Sequence, residues 1–267
     1  MKGTIITITS GKGGVGKTTI AANISLGLAL KGKETVAVDM DIGLRNLDMI
    51  LGLENRIVYD IINVMENEAK LSQALIRDKR TDKLHFLPAS QTKDKTSVKI
   101  DKFLEIMNEL REKFDYIIID SPAGIEAGFK TSMLPADKII VVATPEVSSI
   151  RDADRIIGIL EANEKRDISL IINRISYRLT RRGDMLSKDD VIQVLSIPLL
   201  GIVPENKDII TYANKGEPSI LYRNSITGKA FNNIVCRLLG EKIDFMEIKE
   251  EKGILKLLKI FRGHNDS

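Results

Sequence analysis

The sequence lacks several features that mark particular classes of protein. It has one cysteine, Cys236, in 267 residues, which excludes an internal disulfide and any metal site that needs several thiolates from one chain. No apolar run approaches the roughly 20 residues of a membrane-spanning helix. Residues 1–9 lack the longer apolar segment and cleavage site of a signal peptide. We therefore expect a cytoplasmic protein that does not span a membrane.

Net charge is also small. The chain has 40 basic and 37 acidic side chains, a balance of +3, and this alone does not indicate nucleic-acid binding. The excess is local, because the last fifteen residues contain Lys256, Lys259 and Arg262 against Asp266. The rest of the chain is nearly neutral.

Short β-branched runs alternate with longer stretches of helical periodicity. This order predicts an α/β fold, a mostly parallel twisted sheet with helices on both faces. Strands are predicted at 4–9, 35–39, 84–87, 116–120, 138–143, 168–173 and 198–203, and helices at 17–31, 100–113, 149–163 and 226–239. We expect one domain over residues 1–246, a charged linker over 247–252 and a separate tail over 253–267.

A glycine-rich loop between the first strand and the first helix is the strongest signal. Its sequence, Gly11-Lys12-Gly13-Gly14-Val15-Gly16-Lys17-Thr18, fits the P-loop pattern in the required strand and helix context. Backbone N–H groups of such a loop surround phosphates at a helix N-terminus. We expect Lys17 to contact the β- and γ-phosphates of ATP, Thr18 to ligate Mg²⁺ and Thr19 to reach the α-phosphate.

Acidic residues at two strand ends extend this prediction. Asp120 ends an apolar strand, where a carboxylate serves Mg²⁺ in P-loop enzymes, although it could instead cap the next turn. Asp39 and Asp41 follow another strand. We favour Asp41 for catalysis and for the hydrated metal because it lies further into the loop, whereas Asp39 could be structural.

Lys12 adds a second cation inside the P-loop, and this pattern resembles the deviant Walker A motif of the MinD/ParA family. In that family the extra lysine reaches across an ATP-bound homodimer to the partner's phosphates. The alternative is a solvated loop lysine. The resemblance covers most of the chain and implies an Mg²⁺-dependent ATP hydrolase with Lys12, Lys17 and Asp41 as catalytic residues.

Other segments narrow the resemblance within the family. One cysteine cannot hold the metal clusters of the iron–sulfur members, and the loop after Asp39 lacks the D-x-D-P-Q sequence typical of partition ATPases. Part of this loop, D-x-D-x-G-L, is shared with a flagellar-number member of the family. The longer sequence Asp39-Met-Asp-Ile-Gly-Leu-Arg45-Asn46-Leu-Asp48 is similar to the branch that selects the cell-division site, as are residues 88–95, 120–126, 145–152 and 182–187. This branch implies two partners, the septum inhibitor MinC and a topological regulator such as MinE. The alternatives are a DNA-partition ATPase, although we do not expect DNA binding, and a flagellar-number regulator.

The resemblance also implies roles that spacing alone does not reveal. Asn173 and the segment Pro204-Glu205-Asn206 are similar to segments that receive adenine and ribose, although either could be turn chemistry. Asp152 resembles a partner-binding position that holds the signature lysine in the absence of ATP. It could equally be a solvated helix charge.

The tail has an amphipathic pattern. Helical projection places apolar residues on one side and Lys256 and Lys259 on the other, a pattern that suits the surface of an anionic membrane. A final helix packed on the domain is the alternative, but the resemblance favours a membrane-targeting tail on the inner face of the cell membrane. The apolar set is Ile254, Leu255, Leu257, Leu258 and Phe261.

Overall fold

A computed structural model describes residues 2–246 and contains one eight-stranded sheet. The order across the sheet is β3-β4-β2-β5-β1-β6-β7-β8, and every neighbouring pair is parallel except β3 and β4. The predicted fold class is therefore confirmed. The strands are β1 (Thr4–Thr9), β2 (Thr35–Asp39), β3 (Ile76–Arg77), β4 (Leu84–Leu87), β5 (Tyr116–Asp120), β6 (Lys138–Ala143), β7 (Ile168–Ile175) and β8 (Leu199–Pro204).

The described chain has eleven α-helices, of which nine lie between strands and two follow β8. The four predicted helices are present with ends shifted by at most two residues, whereas the short helices and the two-residue strand β3 escaped prediction. The helices are α1 (Lys17–Leu30), α2 (Leu47–Leu51), α3 (Ile61–Met65), α4 (Leu71–Ala74), α5 (Ile100–Arg111), α6 (Ala127–Met133), α7 (Val147–Ala162), α8 (Tyr177–Arg182), α9 (Lys188–Leu195), α10 (Asp208–Ala213) and α11 (Ile226–Leu238).

Both faces of the sheet are buried, which explains the nearly continuous apolar character of the strands. Ile6 and Ile8 of β1 pack on one face with residues of α1 and α11, including Phe231. Ile5 packs on the opposite face with residues of α5 and α7, including Phe103. The central strand is therefore held by two cores, and its carboxyl end is fixed in position.

The parallel register gathers the ends of β1, β2 and β5 at one edge. Asp39 of β2 lies directly opposite Asp120 of β5, and Ile8 of β1 pairs with the same Asp120. Because β1 runs into the glycine loop, both carboxylates lie beside that loop. This edge is where parallel α/β proteins bind ligands.

Two helices beside this edge are joined by a close backbone approach. A Cβ atom on Gly216, just after α10, would lie 2.5 Å from Gly52 Cα, just after α2. Arg80 spans the junction by donating to the carbonyls of Leu51 at 2.7 Å and Gly216 at 3.0 Å. The loop that follows β2 is thus anchored at its far end.

The expected linker and tail, residues 247–267, lie outside the described residues, as do all the membrane-contact residues predicted there. Within residues 2–246, no helix has the length and apolar character needed to cross a membrane.

Substituting alanine for Gly216 should destabilise the protein more than the same change at Gly183. Both glycines have positive φ, +65° and +77°, but a Cβ atom on Gly183 would have no neighbour within 4 Å. The left-handed backbone alone costs about 1–2 kcal/mol, and the contact with Gly52 should add about 1–3 kcal/mol for Gly216→Ala. Urea unfolding of both variants measures the difference, and equal losses would show that the two backbones can separate.

Candidate nucleotide-binding site

The glycine loop adopts a conformation that depends on left-handed residues. Gly14 and Gly16 have φ of +77° and +98°, and Gly16 is the N-cap of α1. The hydroxyl of Ser10 donates to the carbonyl of Lys12 at 2.8 Å and closes the start of the loop. The amide of Asn173 donates to the carbonyl of Val15 at 2.7 Å. The loop is therefore held from both sides, at a helix N-terminus that favours anions.

Lys17, Thr18 and Asp120 meet at the start of α1. Lys17 is only 8% exposed, and burial lowers the pKa of its ammonium, while the charges of Asp120 and Asp41 raise it. Burial raises the pKa of Asp120 to about 7, against the opposing effects of Lys17 and of a hydrogen bond with Thr18. The site thus holds an ammonium and a carboxylate that water does not fully solvate.

The donor set at this point fits Mg²⁺. Asp120 is 1% exposed, and its Oδ1 atom is buried without a hydrogen-bond partner within the described part of the chain. A buried carboxylate oxygen of this kind needs a compensating group. Together with the hydroxyl of Thr18 it offers the oxygen ligands that Mg²⁺ prefers beside nucleotide phosphates.

The two aspartates after β2 have different surroundings. Asp39 is fully buried and accepts N–H groups from Asp41 at 2.9 Å and Leu47 at 3.3 Å. Burial, with the nearby charge of Asp120, raises the pKa of Asp39 well above its usual range. Asp41 is half-buried and close enough to Lys17 to affect its pKa. Asp39 therefore shapes the loop, while Asp41 faces the site.

A cavity of about 250 Å³ adjoins the glycine loop and contains several predicted residues. Asn173 and Glu205 line it together with Gly16 and Thr19, whereas Pro204, the last residue of β8, is buried and does not line it. The structure therefore brings the strand ends predicted for adenine and ribose to one side of the phosphate loop.

Other residues that line this cavity were not predicted from the sequence. Arg174 lines it from a bulge in β7, with φ of +57° and a register shift against β8. Lys207, Ile209 and Ile210 line it from the start of α10. The Asn206-x-Asp208 sequence was the only available signal, since the side chain of Asn206 accepts the N–H of Asp208 at 2.7 Å and starts that helix.

Lys12 occupies the exposed rim of the loop. Its ammonium lies 3.4 Å from Ser148 Oγ and 3.9 Å from Glu146 Oε2, at the start of α7. The resemblance offered Asp152, one turn further along α7, as a residue that holds this lysine or as a solvated helix charge. The two contacts of the Lys12 ammonium are with Ser148 and Glu146, and the backbone of Asp152 packs against the loop, where a Cβ on Gly11 would lie 2.3 Å from its carbonyl oxygen.

Comparisons with known proteins agree with this geometry. Residues 3–172 match the family model described as an AAA domain. The septum site-determining protein MinD of Helicobacter pylori is 52% identical over 96% of this chain and 97% of its own length. The chain belongs to the MinD family. The sequence-based preference for the branch that selects the division site is confirmed.

Two solved structures extend the similarity to MinD proteins. The MinC:MinD cell division complex of Aquifex aeolicus superposes with a TM-score of 0.87 at 46% identity, covering 92% of this chain and 100% of that one. A MinD from Pyrococcus horikoshii complexed with Mg-ADP has a TM-score of 0.79 at 29% identity, covering 90% and 99%. The chain is thus a member of a P-loop ATPase family that determines septum sites.

Replacing Asp120 with asparagine should stabilise the nucleotide-free protein at pH 8. The folded carboxyl has a pKa of about 7 against 3.8 for an ordinary aspartate. Between these values the folded state retains a proton that the unfolded state has lost, so the free energy of unfolding falls as pH rises through this window. At about 1.4 kcal/mol per pKa unit, Asp120→Asn should raise the free energy of unfolding by about 2–4 kcal/mol at pH 8.

Urea unfolding at pH 5 and pH 8 measures this effect, and the gain should be smaller at pH 5. Asp154→Asn, a change at an exposed position of α7, is the matched control and should leave the free energy of unfolding unchanged at both pH values. A variant as stable as the wild type at both pH values would contradict the buried carboxyl at this position.

Proposed function

We propose that this protein is an Mg²⁺-dependent ATP hydrolase that dimerises on ATP, binds the inner face of the cell membrane and recruits a division inhibitor. The observation that carries the proposal is the meeting of Lys17, Thr18 and the orphaned oxygen of Asp120 at the phosphate loop. The Mg-ADP bound by the P. horikoshii MinD supports the choice of nucleotide and metal.

The described residues divide the chemistry between them. The loop residues 11–18 would bind the phosphates through backbone N–H groups, and Lys17 would neutralise the β- and γ-phosphates. Thr18 and Asp120 would hold Mg²⁺, which supplies charge neutralisation at the phosphates when bound. Asp41, half-buried beside Lys17, would orient the attacking water. Asn173 and Glu205 would contact the nucleoside from the adjoining cavity.

Lys12 is suited to act on a partner protomer. Its side chain is 47% exposed, and its contacts to Ser148 and Glu146 are long. Exposed ion pairs of this kind contribute about 0–1 kcal/mol, so little free energy is lost when Lys12 leaves them. An ammonium on the rim of the loop can then reach phosphates bound across a dimer interface.

The proposed membrane step depends on residues outside the described range. One short amphipathic tail binds a membrane weakly, whereas two tails joined in a dimer gain avidity of about 10² to 10⁴. Dimerisation on ATP would therefore control membrane binding. The MinC:MinD complex of A. aeolicus supports MinC as the recruited partner, and a topological regulator such as MinE would stimulate hydrolysis and release.

Replacing Lys12 with alanine should abolish ATP-dependent dimerisation and lower ATP turnover by at least tenfold, because the charge that spans the interface is lost. Sedimentation velocity with ATP and with ADP, and phosphate release, measure the two effects. The matched control is Ser148→Ala, which removes the hydrogen bond of Lys12 within the protomer but keeps its ammonium. If Lys12→Ala still formed ATP-dependent dimers with normal turnover, the trans role of Lys12 would be wrong.

Deleting residues 254–267 should abolish ATP-dependent pelleting with anionic vesicles and leave ATP-dependent dimerisation intact. Removing only residues 264–267, which follow the apolar positions, is the control and should preserve pelleting. Duplex DNA in parallel tubes tests the partition-ATPase alternative. ATP-dependent retention on DNA but not on vesicles would contradict the membrane proposal.

A further inference from the structure

A groove between the end of α1 and the start of α11 has an unusual set of side chains. Its volume is about 330 Å³, and we call it the basic groove. It is lined by three cations and two amides, Lys31, Arg223, Lys229, Asn232 and Asn233. It lies on the α1 and α11 face of the molecule, and the proposed ATPase cycle uses none of these residues.

The three cations have no acidic partner in the part of the chain that the structure describes. Within residues 2–246, the side chains of Lys31, Arg223 and Lys229 form no hydrogen bond or ion pair, and no acidic residue lines the groove. Lys229 is the fourth residue of α11, whose first turn contains no acidic side chain. A cation near that positive end of the helix dipole is unfavourable. No acidic side chain among the described residues therefore neutralises the charge of the groove.

The groove lies far from the phosphate loop. Gly16 caps the N-terminus of α1 and Lys31 caps its C-terminus. A helix of fourteen residues separates these ends by about 21 Å at 1.5 Å per residue. A nucleotide at the phosphate loop therefore leaves the basic groove open for another ligand.

The chemistry of the groove matches a phosphate group. Lysine ammonium groups bind phosphate as point charges, and an arginine guanidinium binds it through two parallel hydrogen bonds. The amides of Asn232 and Asn233 add neutral donors. A cleft lined by one sign of charge also concentrates the field for an anion. The volume is at the low end of the range for small-molecule sites, which suits a single phosphorylated group.

We propose that the basic groove is a second anion site, which binds the phosphate group of a glycerophosphate, either in a lipid headgroup or in a free small molecule. The site is independent of the nucleotide site. If a lipid headgroup is the source, the body of the protein contacts the membrane directly in addition to the tail.

The test compares two triple variants of the full chain. One is Lys31→Gln/Arg223→Gln/Lys229→Gln, which removes the charges of the groove. The other is Lys79→Gln/Lys99→Gln/Lys215→Gln, which removes the same charge from exposed lysines that form no side-chain ion pair in the described structure. Both variants should bind a fluorescent ATP analogue as the wild type does, because neither set touches the phosphate loop.

Two probes separate the sources of phosphate. One is flotation with phosphatidylglycerol vesicles, with phosphatidylcholine vesicles as the neutral reference, and the other is calorimetric titration with glycerol 3-phosphate. Each cation near an anionic surface contributes about a fivefold change in affinity. The affinity of the groove variant should therefore fall at least tenfold in one of the two assays, and the affinity of the control variant should fall less than threefold.

Each outcome decides the proposal. Loss with vesicles alone assigns the site to a lipid headgroup, and loss with glycerol 3-phosphate, with or without the vesicle loss, assigns it to a phosphate that can bind in free form. The proposal is overturned if the wild type binds neither probe, if the groove variant binds both as the wild type does, or if both triple variants lose affinity equally.

Discussion

The site depends on the burial of opposite charges at one edge of the sheet. Lys17, Asp120 and Asp39 are all at most 8% exposed, and the Coulombic interaction of the ammonium with Asp120 only partly offsets the loss of hydration of either group. Buried charges stay in place when backbone or ligand groups compensate them. The phosphate loop and the turn after β2 are arranged to provide this compensation.

Backbone groups compensate Asp39, and this explains the shape of the loop that follows it. Its carboxylate accepts the N–H groups of Asp41 and Leu47, so the chain between them must curve around it. Arg45 pairs with the buried Asp48 at 2.8 Å and closes the same loop. Asp120, by contrast, retains an oxygen with no partner in the described structure. The folded chain therefore supplies hydrogen-bond donors to the carboxyl group of Asp39, whereas the free oxygen of Asp120 is left for a ligand.

Sequence reasoning succeeded where local chemistry and periodicity coincide. The order of strands and helices follows from β-branched runs and from the glycine loop, whose residues specify both a turn and a helix start. Asp120 could be placed at the site because parallel strands end at a common edge. The register that sets Asp39 opposite Asp120 depends on contacts between distant segments, and periodicity contains no information about it. The bulge at Arg174 was not predicted for the same reason, because its register shift is against β8, whereas the start of helix α10 had only the weak local signal of Asn206 and Asp208.

Helix α1 places two positively charged regions at opposite ends of one rigid element. The phosphate loop at its N-terminus is matched by the helix dipole, whereas Lys31 at its C-terminus complements the negative end. The dipole of α1 stabilises the charge of Lys31. It does not stabilise the charges of Arg223 and Lys229, which line the groove from the start of α11. The dipole of α11 opposes Lys229 instead of stabilising it. The convergence of three cations on one groove therefore lowers stability unless an anion binds there, whereas the single lysine at the end of α1 needs no such explanation.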